Sequence, residues 1–217
     1  MHTLTTHNDP KIRSLAKQWL GGEGLHIQGT LNLSGTNVSQ LPNGLCVEGS
    51  LDLRNTEVKK LPETLIVKQT LWIEDLEIKE LPKFLSVGFH LLASRTKISK
   101  IPESVYVGGN LNLSDTPIKK FPKIRRLGGS LNLKYSVLEE LADNLEIPGS
   151  LDVTGTLIKE FPKNLIVRSW LALFDTAIKS FPDDLFVYGT ILADDEMKPK
   201  VEAYSLRSCR NEKSFNT

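Results

Sequence analysis

A period of 20 residues runs through most of the chain and limits it to repeat architectures. Nine successive units begin with an aliphatic residue, and a second small or aliphatic residue follows two places later in each. The first-position residues are Leu31, Leu51, Leu71, Leu91, Leu111, Leu131, Leu151, Leu171 and Ile191. Self-similarity at one fixed spacing is typical of a solenoid, in which each unit stacks on the next.

The pattern inside one unit predicts strands. Where the first unit meets the second, Leu45, Val47, Leu51 and Leu53 alternate with other residues at a period of two, which is typical of a strand with one buried face. The pair Gly49–Ser50 predicts a bend inside this segment. One unit cannot bury its own aliphatic side chains, whereas units stacked about 4.8 Å apart can. We therefore predict a mainly β, leucine-rich-repeat-like solenoid with parallel strands and nine coils between residues 25 and 197.

A hydroxyl residue follows the first leucine by five places in most units. These residues form a column of equivalent positions, namely Thr36, Thr56, Thr96, Thr116, Ser136, Thr156 and Thr176. We interpret this column as a structural ladder, because hydroxyl groups can satisfy backbone groups where the chain leaves a strand.

The two ends depart from the repeat, as the ends of a solenoid must if the core is to be covered. Residues 1–24 predict a short capping helix with Asp9 as its N-cap and Pro10 in its first turn. Apolar residues at helical spacing follow, namely Ile12, Leu15, Ala16 and Trp19. Residues 198–217 are predicted to form a C-terminal cap and a loose tail, with Val201, Tyr204 and Leu206 closing the last coil.

The run Leu51-x-Leu53-x-x-Thr56-x-Val58-x-x-Leu61-Pro62 resembles the bacterial leucine-rich repeat, with threonine where that repeat has asparagine. The unit length and the Leu-Pro pair resemble the short repeats of type III secreted effectors and of other bacterial and phage proteins. The resemblance covers about residues 25–197 and implies a solenoid that binds another protein. The missing asparagine and the positions of Val47 and Val67 leave open a more β-rich solenoid with longer strands.

Some effectors of this kind continue into a ubiquitin-ligase domain. Only the segment 198–217 follows the repeat, so we expect no such domain here and interpret Cys209 as an ordinary surface cysteine. Because Cys46 and Cys209 lie near opposite ends of a linear solenoid, we expect no disulfide and a reducing compartment.

Charge and hydropathy give further expectations. The net charge of +1 provides no global attraction to nucleic acid or membranes. The polar N-terminus predicts no signal peptide, and no apolar run is long enough to span a bilayer. These features favour a cytoplasmic protein, located in a bacterial cytosol or, for a secreted effector, in the host cytosol.

The sequence suggests no reaction chemistry. Its histidines are not at metal-ligand spacing with each other or with either cysteine; they are His2, His7, His26 and His90. The glycines at 21, 22 and 24 lack the Lys-Ser/Thr of a phosphate-binding loop. The acidic run 194–196 is interpreted as a solvated turn. We therefore predict no catalytic residue, no metal, no cofactor and no enzymatic activity.

Outward-facing strand positions carry small polar residues in most units, and two groups depart from this. Trp72 and Leu92 are equivalent residues in adjacent coils, with His90 nearby. In the second group, Trp170 and Phe174 flank Ala172, and Leu192 follows in the next coil. Exposed apolar residues of this size indicate a docking surface for a protein partner. The alternative is that they pack on a cap or pair across strands.

A lysine-rich stripe precedes the Leu-Pro and Phe-Pro pairs. It includes Lys59, Lys60, Lys79, Lys100, Lys119 and Lys120 and is interrupted by Glu80, Glu139, Glu140 and Glu160. A solvated edge is the simplest interpretation. The functional alternative is binding of nucleic acid or of another acidic partner. The identity of the partner and the oligomeric state stay open.

Overall fold

Each 20-residue unit makes one turn of a parallel β-solenoid in the computed structural model, which describes residues 24–205. The solenoid has about eight turns. Leu51, Leu71 and Leu111 line up in one interior column and are fully buried. The predicted mainly β, parallel fold is therefore confirmed.

Residues 24–205 contain 20 short strands. They are β1 (His26–Ile27), β2 (Leu31–Asn32), β3 (Leu45–Val47), β4 (Leu51–Asp52), β5 (Thr64–Val67), β6 (Leu71–Trp72), β7 (Phe84–Val87), β8 (Leu91–Leu92), β9 (Tyr106–Val107), β10 (Leu111–Asn112), β11 (Lys120–Phe121), β12 (Arg126–Leu127), β13 (Leu131–Asn132), β14 (Glu140–Leu141), β15 (Glu146–Ile147), β16 (Leu151–Asp152), β17 (Ile166–Val167), β18 (Leu171–Ala172), β19 (Phe186–Val187) and β20 (Ile191–Leu192). The sequence left open a more β-rich solenoid with longer strands. The structure is mainly β, but its strands are short.

The longest sheet runs through all the described coils without interruption. Its nine strands lie in the order β2-β4-β6-β8-β10-β13-β16-β18-β20, and each residue pairs with the residue 20 places further along the chain. The predicted bend at Gly49 is present, because the chain turns there between β3 and β4. Each alternating segment therefore contributes one strand to the long sheet and one to a second sheet.

The second sheet is broken in the middle of the solenoid. Strands β1, β3, β5, β7, β9 and β12 form one ladder, and β15, β17 and β19 form another. Arg125 directly precedes β12, the last strand of the first ladder, and occupies the place of the inward leucine of other units, such as Leu65. Arg125 is exposed and Ile124, one place earlier, is buried instead. A guanidinium group cannot enter an apolar core unpaired, so Ile124 supplies the buried side chain, while β12 itself keeps the 20-residue register with β9.

A left-handed residue follows each strand of the long sheet from the first described coil to the eighth. These residues are Gly35, Asn55, Asp75, Arg95, Asp115, Tyr135, Gly155 and Asp175, with φ between 51° and 71°. The next residue usually carries the hydroxyl group of the predicted ladder, and this O–H group donates to the carbonyl three residues earlier. Examples are Thr56 to Leu53 at 2.6 Å and Thr96 to Ala93 at 2.8 Å. The hydroxyl column closes the turns, as predicted.

The C-terminal end of the solenoid is covered by a short helical segment. A 3₁₀ turn, Asp195–Met197, leads into α-helix at 198–205. Tyr204 is buried, and its hydroxyl donates to the carbonyl of Leu185 at 3.0 Å and accepts from the amide of Val187 at 3.1 Å. The predicted N-terminal helix lies outside the described residues. None of the helices within residues 24–205 combines the length and the apolar composition that crossing a bilayer requires.

Candidate functional site

A polar ladder precedes the strands of the long sheet. The side chain at this position accepts a hydrogen bond from the backbone amide 20 residues later in several coils. The accepting residues are Thr30, Ser50, His90, Asn110 and Ser130, at 2.8–3.3 Å. His90, which the sequence placed in a docking site, therefore has a structural role, because its Nδ1 accepts from the amide of Asn110 at 3.0 Å.

Trp170 departs from this ladder. It occupies the same column, yet an indole nitrogen is a donor only and cannot accept a hydrogen bond from the amide of the next coil. Its side chain is instead turned to solvent, with 40% of the residue exposed.

Trp170 belongs to a group of apolar residues at the C-terminal end of the long sheet. Trp170, Ala172 and Phe174 lie on the same side of the chain around β18, and Leu192 pairs directly with Ala172. Phe174 is 37% exposed and Leu192 is 40% exposed, whereas Ala172 is only 4% exposed. We call these four residues the Trp170 patch. The structure brings together three residues that the sequence had assigned to one site.

Carboxylates border the Trp170 patch. Asp152 pairs with Ala172 on the side opposite Leu192 and accepts a hydrogen bond from the amide of Thr154 at 2.9 Å. Asp194 follows Leu192 by two places and accepts from the amide of Asp175 at 2.8 Å. Both side chains are held by backbone donors, so negative charge is fixed at the edge of the apolar surface.

The second predicted pair, Trp72 and Leu92, lies elsewhere on the same sheet. The two residues are in register on β6 and β8 and are half-buried. The guanidinium of Arg54 lies 5.6 Å from the centre of the Trp72 ring and covers part of it. Ala172 lies four coils further along the sheet than Leu92, so the predicted residues form two separate groups and not one site.

Arg54 is held in position by a buried carboxylate. Its Nε and Nη2 donate to Asp52 at 3.0 and 2.7 Å, and Asp52 is 6% exposed. Burial acts to raise the pKa of Asp52, but the hydrogen bonds and charge of Arg54 outweigh burial and leave that pKa below its usual value. The bidentate pair orients the guanidinium that packs against Trp72. This arrangement supports cross-strand packing as the role of Trp72.

The lysine stripe borders an open groove on another side of the solenoid. The groove has a volume of about 770 Å³ and an apolar floor that includes Ile101 and Phe121. The six predicted lysines are exposed. Lys119 and Lys120 form ion pairs with Glu139 and Glu140 at 3.3 and 2.8 Å. The stripe is therefore a band of alternating charge and not a continuous basic surface.

Several exposed aromatic residues were missed by the sequence argument. Phe89 is 58% exposed and replaces a glycine of other units, and Tyr188 is 63% exposed beside the last strand of the second sheet. Phe84 and Phe186 are also exposed. A comparison of equivalent positions in the repeat could have found them, because each of these residues lies where most units carry a small or polar residue.

The stacking also brings together three possible metal ligands that the sequence separates. His26 lies opposite Cys46 in the second sheet, and Glu48 lies two residues beyond Cys46. Their ligand atoms all lie within 4.8 Å of one another. The spacing rules applied to the sequence missed this group, because they compare neighbours along the chain and not across coils.

Compared with models of known protein families and with curated proteins, the chain has no match in either case. The solenoid architecture is therefore established by the structure, and the likeness to bacterial leucine-rich repeats rests on the repeat pattern alone.

Proposed function

We propose that this chain is a non-enzymatic binding scaffold whose Trp170 patch docks another protein. One observation carries the proposal: three large apolar side chains, each at least 37% exposed, lie around a buried alanine at the C-terminal end of the long sheet. Aromatic residues in such settings are frequent anchors of interfaces, and their truncation often costs about 2 kcal/mol or more of binding free energy.

The charged residues at the border of the Trp170 patch indicate which kind of protein surface would bind there. Asp152 and Asp194 place negative charge beside the apolar centre. A complementary surface presents an apolar side chain flanked by lysine or arginine. Such charges increase the association rate and suppress wrong partners more than they increase affinity. The binding rate is therefore expected to fall with added salt, while the dissociation rate depends on Trp170.

The alternative in which these residues pack against the cap receives less support. The helix at 198–205 covers the end of the core through Tyr204, which bonds to Leu185 and Val187. Trp170, Phe174 and Leu192 stay exposed with this part of the cap in place. They are thus available to a partner on the sheet face.

The test is affinity selection from a displayed peptide library against the immobilised full chain. The site variant is Trp170→Ser combined with Phe174→Ser. The matched control is Leu157→Ser, which removes a side chain that is 53% exposed outside the patch. We expect the parent and the control to retain the same peptides, enriched in apolar residues beside lysine or arginine, and the site variant to lose them. Equal retention by a correctly folded site variant would refute the patch as the docking surface.

Nucleic-acid binding along the lysine stripe is the second candidate. Lys119 and Lys120 have side chains that are 67% and 69% exposed beside the open groove, which favours contact with phosphates. Their ion pairs with Glu139 and Glu140 reduce the positive charge available. A gel-shift assay at low salt tests this candidate. Binding that weakens steeply with salt and with Lys119→Ala/Lys120→Ala would support it, and no shift would end it.

We further propose that the chain is a bacterial leucine-rich-repeat protein that acts in the cytosol, either bacterial or of a host cell if it is an effector. The Leu-Pro unit and the few cysteines support this proposal. Fractionation of cells that express the tagged full chain, followed by immunoblotting, tests the compartment. Recovery in a membrane or extracellular fraction would contradict it.

A further inference from the structure

The first two coils place an imidazole, a thiol and a carboxylate on one outer face. His26 Nε2 lies 2.8 Å from Glu48 Oε1, and Cys46 Sγ lies 3.8 Å from the same oxygen. The backbone fixes these residues, because the amides of Cys46 and Glu48 donate to the carbonyls of Leu25 and Ile27 at 2.9 and 3.0 Å. A rigid sheet therefore preorganises all three groups.

The same three slots recur at the other end of the second sheet with different contents. There, Glu146 takes the place of His26, Ile166 that of Cys46 and Arg168 that of Glu48. Arg168 Nε donates to Glu146 at 2.7 Å, an ordinary ion pair beside an aliphatic side chain. The diagonal contact between the first and third slots thus occurs at both ends of the second sheet. What distinguishes the first coils is that the middle slot also carries a metal-ligating group.

We propose that His26, Cys46 and Glu48 together bind one divalent cation of the zinc class, with water in the remaining position, and so clip the first described coil to the second. Nitrogen, sulfur and oxygen donors in this combination suit zinc, which accepts tetrahedral sites with three protein ligands and a water. Calcium and magnesium prefer oxygen donors alone and fit the set poorly. The site is independent of the proposed docking function.

Metal binding exchanges protons for the cation. In the metal-free protein Cys46 donates its thiol proton toward Glu48, and burial, followed by the charge of Glu48, raises the pKa of that thiol. Lys68 acts in the opposite direction and favours the thiolate. When the cation binds, the sulfur–hydrogen bond breaks, the proton goes to solvent, and the electron pair left on sulfur coordinates the metal. The imidazole coordinates through Nε2 with its proton on Nδ1.

The experiment uses the full chain with Cys209→Ser as the parent, so that Cys46 supplies the only thiol. Zinc titration by calorimetry is expected to give one bound equivalent with a Kd of about 1 µM or tighter. Cobalt is expected to give the charge-transfer absorption of a thiolate ligand. Cys46→Ser is expected to abolish that absorption and, like His26→Ala, to weaken zinc binding more than about tenfold.

Two controls separate this site from other causes. Glu146→Gln changes the matching slot at the opposite end and is expected to leave zinc affinity unchanged. The melting temperature of the parent is expected to rise with zinc, while that of Cys46→Ser stays constant, which also shows that the variant folds. Zinc binding that Cys46→Ser and His26→Ala leave intact, or bound cobalt without thiolate absorption, would overturn the proposal. The Trp170 and Phe174 variants should bind zinc normally, so the two proposals fail independently.

Discussion

Replacing Thr116 with valine tests the hydroxyl ladder at a single rung, because valine keeps the shape of the side chain and removes only the donor. The Thr116 hydroxyl donates to the carbonyl of Leu113 at 2.6 Å, and the residue is 3% exposed. Water cannot replace the lost donor at such a site. Leaving a buried acceptor unsatisfied costs about 1–3 kcal/mol. The added methyl group returns at most about 0.8 kcal/mol through burial.

The expected result is a loss of about 1–2 kcal/mol in the free energy of unfolding. For a chain of this size that corresponds to a melting temperature lower by roughly 2–8 °C. Urea unfolding followed by circular dichroism measures the change, and an unchanged m-value shows that the same cooperative unit unfolds.

The matched control is Thr176→Val, which removes the same bond where the residue is half-buried and water can reach the carbonyl. Its effect is expected to be about 0.5 kcal/mol or less, because solvent substitutes for the hydroxyl. If the Thr116 variant were as stable as the parent, or if both variants lost the same stability, the ladder would not hold the turns in the way argued above.

Three further predictions concern close packing and charge. Gly108→Ala would place a methyl group against a backbone carbonyl of the preceding coil and is expected to cost about 1–3 kcal/mol in urea unfolding; an unchanged midpoint would contradict the tight stacking. Gly155→Ala, at φ +67° beneath the Tyr135 ring, is expected to cost about 1–2 kcal/mol, and adding Tyr135→Ala should recover the part due to the ring; strict additivity would show that ring and methyl do not meet. Because Arg54 lowers the pKa of Asp52, that carboxylate contributes stability above about pH 4 that is lost as the pH falls through its folded pKa. Asp52→Asn should flatten the acid side of the stability curve, and parallel curves for the two proteins would refute this.

The fold was predictable because one spacing determines almost every contact. A residue and the one 20 places later become neighbours, so an aliphatic column in the sequence is a buried column in the structure. The break in the second sheet was also visible in principle, since Arg125 stands where Leu65 and Leu85 stand in their units. The N-terminal helix predicted for residues 1–24 lies outside the described residues.

The candidate sites were only partly predictable, because the position of a residue in the repeat does not determine the conformation of its side chain. Trp72 and Trp170 looked equivalent in the sequence as large residues among small polar ones. Arg54 partly covers the Trp72 ring, whereas Trp170 stays 40% exposed. The difference depends on Asp52, whose two carboxylate oxygens hold the guanidinium of Arg54 in place. The repeat pattern alone does not predict such a bidentate ion pair.

The group of His26, Cys46 and Glu48 was not predicted for a different reason: separation along the sequence does not measure the distance between coils. His26 and Glu48 are 22 residues apart and bond at 2.8 Å, because the stacking converts one full unit into a step between neighbouring strands. Ligand-spacing rules were built for helices and loops, where nearby atoms come from nearby positions. In this fold the useful comparison aligns each unit with the previous one. It then considers pairs of residues that are 20 places apart and pairs that are 22 places apart. Applied to residues 24–205, that comparison finds His26 above Cys46 with Glu48 alongside, and it finds the Glu146–Arg168 pair in the matching slots. Once the period is known, the sequence therefore predicts which groups meet, while the choice between an ion pair and a metal site depends on the third residue.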